Sequence, residues 1–363
     1  MDIVQSTSAY ERWLKQQLQG DVVPGDIVTK HKEMCAGPFP FLRATYWRWA
    51  ETIFDISPEL SDAPSVLAVG DIHIENFGTW RDADGRLVWG VNDYDEAAEM
   101  PYVLDLVRLA TSAVLANVRG ISTGGICRPI LNGYRAGLAT PRAFVLDLQH
   151  EWLRSLFVVP EGDRAKFWKK FDPGRNQGKG RRKEPPRAYV EALEGARPDT
   201  RIQFTYWPRT AGMGSLGRPR WVGHALWHDA PVIREAKAIV PSGWTRAHGG
   251  ALGRLRCHEI AGGAHRCPDP WLALKGSILI RRLSPNNRKL DLQEIKGVSM
   301  LVNPDMLWAM GRDLAAIHLG RGETRGAIVD DLERRKPRWL RRATKTAAEF
   351  IRREQKEWRK AFR

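Results

Sequence analysis

One stretch constrains this chain more than any other. Ser65-Val66-Leu67-Ala68-Val69 is a short apolar run that ends on Gly70-Asp71, and Ile72-His73-Ile74-Glu75-Asn76 follows it. A run of this kind, bounded by a turn signal, predicts a buried strand with a polar loop at its end. Asp82, Asp84 and Gly85 then supply a turn, and Leu87 to Val91 supplies a returning strand that ends in Asn92-Asp93-Tyr94-Asp95. The fold must therefore return two carboxylate-rich strand ends to one neighbourhood between apolar walls. Taken singly, Asp71, Asn76, Asp93 and Asp95 are ordinary turn residues. Taken together, so much negative charge beside buried strands is costly unless a cation sits there.

Carboxylates and an amide oxygen are hard ligands suited to Mg2+, which takes one or two carboxylates plus substrate phosphates. A further carboxylate nearby can orient or deprotonate a nucleophile. Two chemistries use a strand that ends in Gly-Asp-x-His. The dinuclear metallophosphoesterases continue with a GDxxDR segment and a GNH segment, and no Gly-Asn-His occurs in this chain. The other is the catalytic loop of kinase-like phosphotransferases: an Asp base, a metal-binding Asn five residues on, and a metal-binding Asp on a following hairpin. Asp71, Asn76 and Asp93 have that order and spacing. The loop resembles the HGDLHxxN pattern of aminoglycoside and choline kinases more than the HRDxxxxN of protein kinases, with Val69 in place of the leading His. On this reading Asp71 is the catalytic residue, Asn76 and Asp93 hold Mg2+, Asp95 joins them, and His73 supports the loop. Asp105, near the start of a helix opened by Pro101, resembles the Asp that buttresses such a loop. A helix-terminal carboxylate facing the macrodipole is its equal alternative.

A site of this kind also needs a phosphate clamp. Gly212-Met213-Gly214-Ser215-Leu216-Gly217 is a G-x-G-x-x-G, and Lys237 stands in the apolar run after it. A dinucleotide-binding fold would need a helix straight after Gly217. Arg218 to Val222 reads as a strand instead, so strand, glycine loop, strand and lysine are expected in that order. Backbone N–H groups of Gly212, Gly214, Ser215 and Gly217 would face ATP phosphates, with Lys237 as a point charge. Arg281 and Arg282 would add guanidinium charge to the cleft.

The rest of the chain gives the layout. The first 60 residues read as helical, with one helix around Tyr10 to Leu18 and another from Leu42 to Ile53. Helices are also predicted after Pro101, around 128–138 and over 142–157. Residues 164–187 read as a basic loop containing Lys169, Lys170, Lys179, Arg181, Arg182 and Lys183. Strands are predicted over Ile202–Trp207, Arg220–Trp227, Val232–Val240 and Trp271–Leu283, and helices close the chain. The expected class is α+β: a two-lobed, protein-kinase-like fold with its lobes in circularly permuted order, because the glycine loop and lysine follow the catalytic loop. Residues 1–195 would form the helical catalytic lobe with the metal-binding hairpin and basic loop. Residues 196–300 would form a small β-rich, nucleotide-clamping lobe, and residues 301–363 helices that pack back on the body.

Several segments resemble the bacterial domain-of-unknown-function family 2252. They are Lys32-Glu33-Met34 with Pro38-Phe39-Pro40-Phe41-Leu42-Arg43, the loop from Gly70 to Gly78, Val91 to Ala97, and Asp105 to Ser112. The later segments Gly212 to Gly217, Arg234 to Ala238, Arg281 to Leu292 and Gly311 to His318 do so as well. The resemblance spans most of residues 30–320 and implies a kinase-like nucleotide site without supplying a reaction. Leu42-Arg43-Ala44-Thr45 stands where Arg-Gly-Thr is usual.

Charge bears on partners. The chain has 57 Lys and Arg against 42 Asp and Glu, a net of +15, which favours anionic partners. From Arg334 onward 13 Lys and Arg stand against 3 Glu, a helix with an apolar stripe and a basic face open to nucleic acid or an anionic membrane surface. Four scattered cysteines make no disulfide framework, and Cys257, His258, His265 and Cys267 match no standard zinc spacing. No secretory signal or membrane span is expected, so the cytoplasm is the expected compartment. Three functions stay open: γ-phosphoryl transfer from Mg-ATP to a hydroxyl of an anionic acceptor, AMP transfer from the same cleft with ATP reversed, and a nucleotide-binding scaffold whose basic tail recruits a partner.

Overall fold

The computed structural model describes all residues except 117–119, 177–183, 251–253, 291, 293–296, 322 and 363. It is a mixed α/β structure of helices and antiparallel sheets. Helices fill the first part of the chain: Ile3–Gln17, Pro24–Ala36, Pro38–Ala44 and Tyr46–Ile56. Asp2 caps the first through a reciprocal pair with Gln5. Pro24 and Pro38 open the next two, where a missing N–H costs nothing. The single helix expected over Leu42–Ile53 is thus two, parted at Thr45.

The strands are β1 (Ser65–Ala68), β2 (Phe77–Arg81), β3 (Leu87–Val91), β4 (Ala98–Pro101), β5 (Phe144–Val145), β6 (Thr205–Pro208), β7 (Arg220–Trp227), β8 (Ala230–Ala238), β9 (Ala273–Lys275) and β10 (Ile278–Arg282). They form three antiparallel sheets: β1 with β4, β2-β3-β5, and the five-stranded β6-β7-β8-β10-β9. The β2–β3 turn is closed by Asp82, whose carboxylate accepts the Asp84 and Arg86 N–H groups, with Gly85 at φ +77°.

Four expectations are corrected. Pro101 ends β4, and the helix begins at Val103. Residues 142–157 are not one helix: Phe144 and Val145 pair with the edge of β3, and a shorter helix runs Glu151–Phe157. The stretch Trp271–Leu283 is two strands that reverse at Gly276, φ +57°. The basic segment begins as a helix, Glu161–Lys170, because Phe167, Trp168 and Phe171 pack against Trp207, Val222, Ile233 and Leu283 of the sheet. Lys179, Arg181, Arg182 and Lys183 lie outside the described residues.

The faces of the five-stranded sheet differ, as the two-residue period of strands requires. Trp221, Ala236, Ala238, Ile278 and Ile280 pack under the helix Arg187–Glu194 through Tyr189 and Leu193. Glu235, Lys237, Arg220 and Arg281 lie on the opposite face, since Arg220 pairs with Lys237 and Arg281 with Glu235. Below that face lies the large core, which runs from Ile3 to Trp358. At its centre the helices Thr123–Ala139 and Pro304–His318 touch through Gly133, Gly137 and Gly311. A Cβ on Gly133 would fall 1.9 Å from the Trp308 carbonyl oxygen, and one on Gly311 would fall 2.1 Å from that of Ile130. The C-terminal helix Trp339–Ala361 sinks Leu340, Ala343, Ala347, Ile351 and Trp358 into the core. It ties to the first helices through Glu354 with Arg48 at 2.6 Å, Gln355 with the Cys35 carbonyl at 3.1 Å and Trp358 with the His31 carbonyl at 3.3 Å. Among the described residues no helix is long and apolar enough to cross a membrane.

Candidate active site

The loop after β1 is held from behind. Asp105, fully buried, accepts the Val69 N–H at 2.8 Å and the Gly70 N–H at 3.0 Å. His318 Nε2 lies 3.0 Å from Asp105, and its Nδ1 lies 2.8 Å from the Tyr134 hydroxyl. His318 is thus spent on structure. Gly70 takes φ +79°, and a Cβ there would lie 2.5 Å from the Glu96 carbonyl oxygen and 2.6 Å from the Tyr46 hydroxyl. Only glycine permits both the conformation and the approach. Past this bend Asp71 faces a cavity, and the guanidinium of Arg108 grips its Oδ1 while donating to the Leu42 carbonyl at 2.8 Å. Arg108 is itself sandwiched near Tyr46 and Trp49, 4.9 and 5.2 Å from the ring centres. Burial raises the Asp71 pKa, Arg108 opposes this, and Glu96 and Asp93 add to the rise.

The returning hairpin brings the other acids. Val91 N–H donates to Asp313 at 2.7 Å, and Arg266 joins Asp313 at 2.7 Å to the Val91 carbonyl at 2.6 Å, so the end of β3 is fixed. Asn76 donates its amide nitrogen to the carbonyls of Asp71 at 3.3 Å and Asp93 at 3.1 Å, which leaves its amide oxygen for the cavity it lines. Lys237 Nζ lies 3.2 Å from Asp93 and 2.5 Å from Asp95. Burial alone would raise the Asp93 pKa, but Lys237, Lys289 and Arg281 hold it well below the usual carboxylate range. Asp95 moves the other way, raised by burial and by the Asp93 charge, with Lys237 and Arg218 opposing.

From the sheet side the glycine loop covers these acids. A Cβ on Gly214 would lie 2.9 Å from Asp71 Oδ2, so the loop comes close because no side chain intervenes. The buried Lys30 donates to the Gly214 carbonyl at 3.1 Å. Gly212, Gly214 and Ser215 line the cavity. Gly217 does not: at φ +95° it packs on Ile27 and Leu14, and its carbonyl accepts the Val23 N–H at 3.0 Å. Beside the loop, Glu235 holds three arginines at once: Arg220 at 2.9 Å, Arg281 at 2.7 Å, and Arg209. The other branch of Arg220 reaches Ser215 Oγ.

Two cavities result. The first encloses about 240 Å3 between Asp71, His73, Asn76, Asp93, Asp95 and the glycine loop, and among the described residues no Phe, Tyr or Trp lines it. The second encloses about 310 Å3 and carries Trp80, Tyr94, Phe167 and Phe171 with Asn92 and Arg282. Arg209, Arg281 and Lys289 line both. Asp71, Asn76, Asp93, Asp95, Gly212, Gly214, Ser215, His73 and Arg281 thus meet at one cavity, with Lys237 joined to it through Asp93. Arg282 belongs to the second cavity, paired with Asp269 at 3.2 Å, and Asp105 stands behind the loop. Burial, then Arg43, Lys289 and Arg108, push the His73 pKa well below its usual value, so this imidazole is neutral.

Sequence reasoning missed Arg108, Glu235, Arg209, Arg220, Lys289 and Lys30. Two of them carried a signal: Arg108 lies one helical turn from Asp105, and Glu235 lies two residues from Lys237 on the same strand face. The cysteine-histidine cluster does not assemble. Cys257 is buried in the large core and Cys267 lies beside Arg86. Among the described residues no three His, Cys, Asp or Glu side chains converge as a ready-made metal cage.

No curated protein and no solved structure matches the chain. Residues 22–141, about a third of the length, match the family described as an uncharacterized protein conserved in bacteria, DUF2252. That stretch holds Asp71, Asn76, Asp93, Asp95, Asp105 and Arg108, the half of the site contributed by the loop and hairpin.

Proposed function

We propose that this chain is a magnesium-dependent phosphotransferase that moves the γ-phosphoryl group of a nucleoside triphosphate to a hydroxyl. The observation that carries this reading is the meeting at one cavity of Asp71, Asn76 and Asp93 with a glycine loop and Lys237 from the sheet. A glycine loop, a lysine on the sheet's third strand, a loop aspartate and two metal-side residues are the parts kinase-like sites use. The sheet follows the loop and hairpin in the chain, so the two lobes of such a site would be in permuted order.

Mg2+ suits the donors present: the free amide oxygen of Asn76, a carboxylate kept ionised at Asp93, and the Asp95 carboxylate that shares Lys237 with it. Bound there, the ion would neutralise phosphate charge, and phosphate and water oxygens would complete its shell. Asp71, aimed by Arg108 and made more basic by burial, would accept the hydrogen bond of the acceptor hydroxyl. Lys237 would give its charge to the phosphates.

The second cavity supplies direction. A nucleobase suits its four aromatic walls and is poorly suited to the charged walls of the first. A triphosphate seated base-outward would run past Arg209, Arg281 and Lys289 and end with its γ-phosphate by Asp71. This favours phosphoryl over adenylyl transfer. The test is thermal stability with Mg-ATP for the wild type and Asp93→Ala. At about 100 times the dissociation constant the ligand adds roughly 2.7 kcal/mol. A shift lost in Asp93→Ala, with ADP as the released nucleotide, supports the reading. Release of pyrophosphate would favour AMP transfer, and no shift at millimolar Mg-ATP would move the basic-scaffold reading to first place.

A further inference from the structure

The junction of the two cavities carries more positive charge than the protein neutralises. Glu235 is fully buried and is the shared carboxylate of Arg209, Arg220 and Arg281. Lys289 lines the same junction. Those four cations and Lys237 therefore meet three carboxylates, Glu235, Asp93 and Asp95, with Lys237 between the last two, so the positive charge stays in excess. Burial lowers the Arg209 pKa, and Arg281 and Arg220 lower it further despite Glu235, whereas at Arg281 the charges of Glu235, Asp93 and Asp95 prevail over burial and raise it. Burial likewise lowers Lys289 to about 8, with Arg281 and Arg43 adding to the effect and Asp93 opposing it. Holding surplus cations out of water is costly unless an anion completes the set.

The arrangement is aimed. Arg209 directly follows β6 and Arg220 begins β7, so the two flank the glycine loop, and Arg220 also holds Ser215 of that loop. Arg220 is nearly fully buried, whereas Arg209 and Arg281 keep 18% and 25% of their side chains exposed, toward the cavities they line. Guanidinium forks fixed in direction by a common carboxylate match successive phosphate oxygens better than mobile ammonium groups do.

We infer that Arg209, Arg220 and Arg281, preset by Glu235, form a polyphosphate cradle that binds a linear triphosphate chain directly, without requiring a metal ion. The inference rests on the phosphotransferase reading for the direction of the chain, but it predicts something that reading does not: metal-free binding that depends on arginines rather than on Asp93.

The probe is inorganic tripolyphosphate, titrated calorimetrically at fixed ionic strength with EDTA present. The proteins are wild type, Arg209→Gln, Arg281→Gln and the charge-keeping Arg209→Lys, each first checked by circular dichroism and melting. The expected result is metal-free binding that each Gln variant weakens roughly tenfold or more and that Lys restores only in part. Pyrophosphate should bind more weakly than tripolyphosphate. Absence of wild-type binding at millimolar probe, or equal affinity in the folded Gln variants, would overturn the cradle. The two readings fail separately. Mg-ATP binding that needs Asp93 but ignores both arginines leaves the phosphotransferase and removes the cradle. Arginine-dependent tripolyphosphate binding with no Asp93-dependent Mg-ATP binding does the reverse.

Discussion

Lys30 offers a quantitative check on how the site is packed. Its side chain is buried, its ammonium sits 4.8 Å from the Trp47 ring centre and 5.3 Å from that of Tyr10, and it donates to the Gly214 carbonyl. Burial, aided by Arg218 and opposed by Glu96, Asp71 and Glu11, lowers its pKa from 10.5 to about 7. Between those two values the unfolded chain keeps a proton that the folded chain gives up, so stability rises with pH. The slope approaches about 1.4 kcal/mol per pH unit, and the gain from pH 7 to pH 10 integrates to about 3–4 kcal/mol. Lys30→Met does not titrate. It relieves the burial of charge at neutral pH and gives up one hydrogen bond, about 1 kcal/mol, because the neutral amine of the folded state at high pH makes no cation–π contact. The variant should therefore be more stable than wild type by about 3 kcal/mol at pH 7 and within about 1 kcal/mol of it at pH 10. Urea unfolding of both proteins at four pH values measures this, and other titrating groups such as Lys289 cancel in the difference. A stability difference that stays flat from pH 7 to 10, or a variant weaker than wild type at pH 7, would refute the reasoning.

Three further outcomes follow from particular contacts. Glu235→Gln leaves three guanidinium groups without their carboxylate and should cost about 3–5 kcal/mol, seen as a lowered melting temperature that tripolyphosphate partly restores. Gly133→Ala drives a methyl group into the Trp308 carbonyl and should destabilise by about 2–4 kcal/mol, whereas Gly326→Ala, in a helix with open space around it, should be neutral or stabilising by up to about 1 kcal/mol in the same melts. Asp105→Asn keeps one acceptor where two backbone donors need satisfying, so the Val69 and Gly70 amides should exchange with deuterium faster than in wild type, ahead of any change in the C-terminal helix.

What could be read before the structure was what the chain writes locally. The strand at Ser65–Ala68, the hairpin turn at Asp82–Gly85 and the strand–loop–strand around Gly212 each carry their pattern within a dozen residues. Lys237 and the acids of the hairpin were legible for the same reason. The strand at Phe144 and Val145 was not, because it exists to pair with β3 far upstream and is too short to show a period. The helix Glu161–Lys170 was obscured by its charges, although Phe167 and Phe171 keep helical spacing toward the sheet. The arginines of the junction were hidden for another reason. Arginine is abundant in this basic chain, and nothing local separates Arg209 or Arg220, which turn inward, from those that coat the surface. Register decides it: β7 and β10 pair with β8 so that Arg220 and Arg281 share a face with Glu235 and Lys237.

The docking of the last helix on the first ones also sets a clock. Arg48 waits for Glu354, 306 positions later, and the His31 and Cys35 carbonyls wait for Trp358 and Gln355. A ribosome adding about 5–20 residues per second needs roughly 15–60 s to cover that interval. For most of that time the N-terminal helices stand without the helix that later packs on them. The face that covers Arg48, His31 and Cys35 is therefore supplied only after almost all of the intervening chain has been made, so these first helices can reach their native packing only late in synthesis.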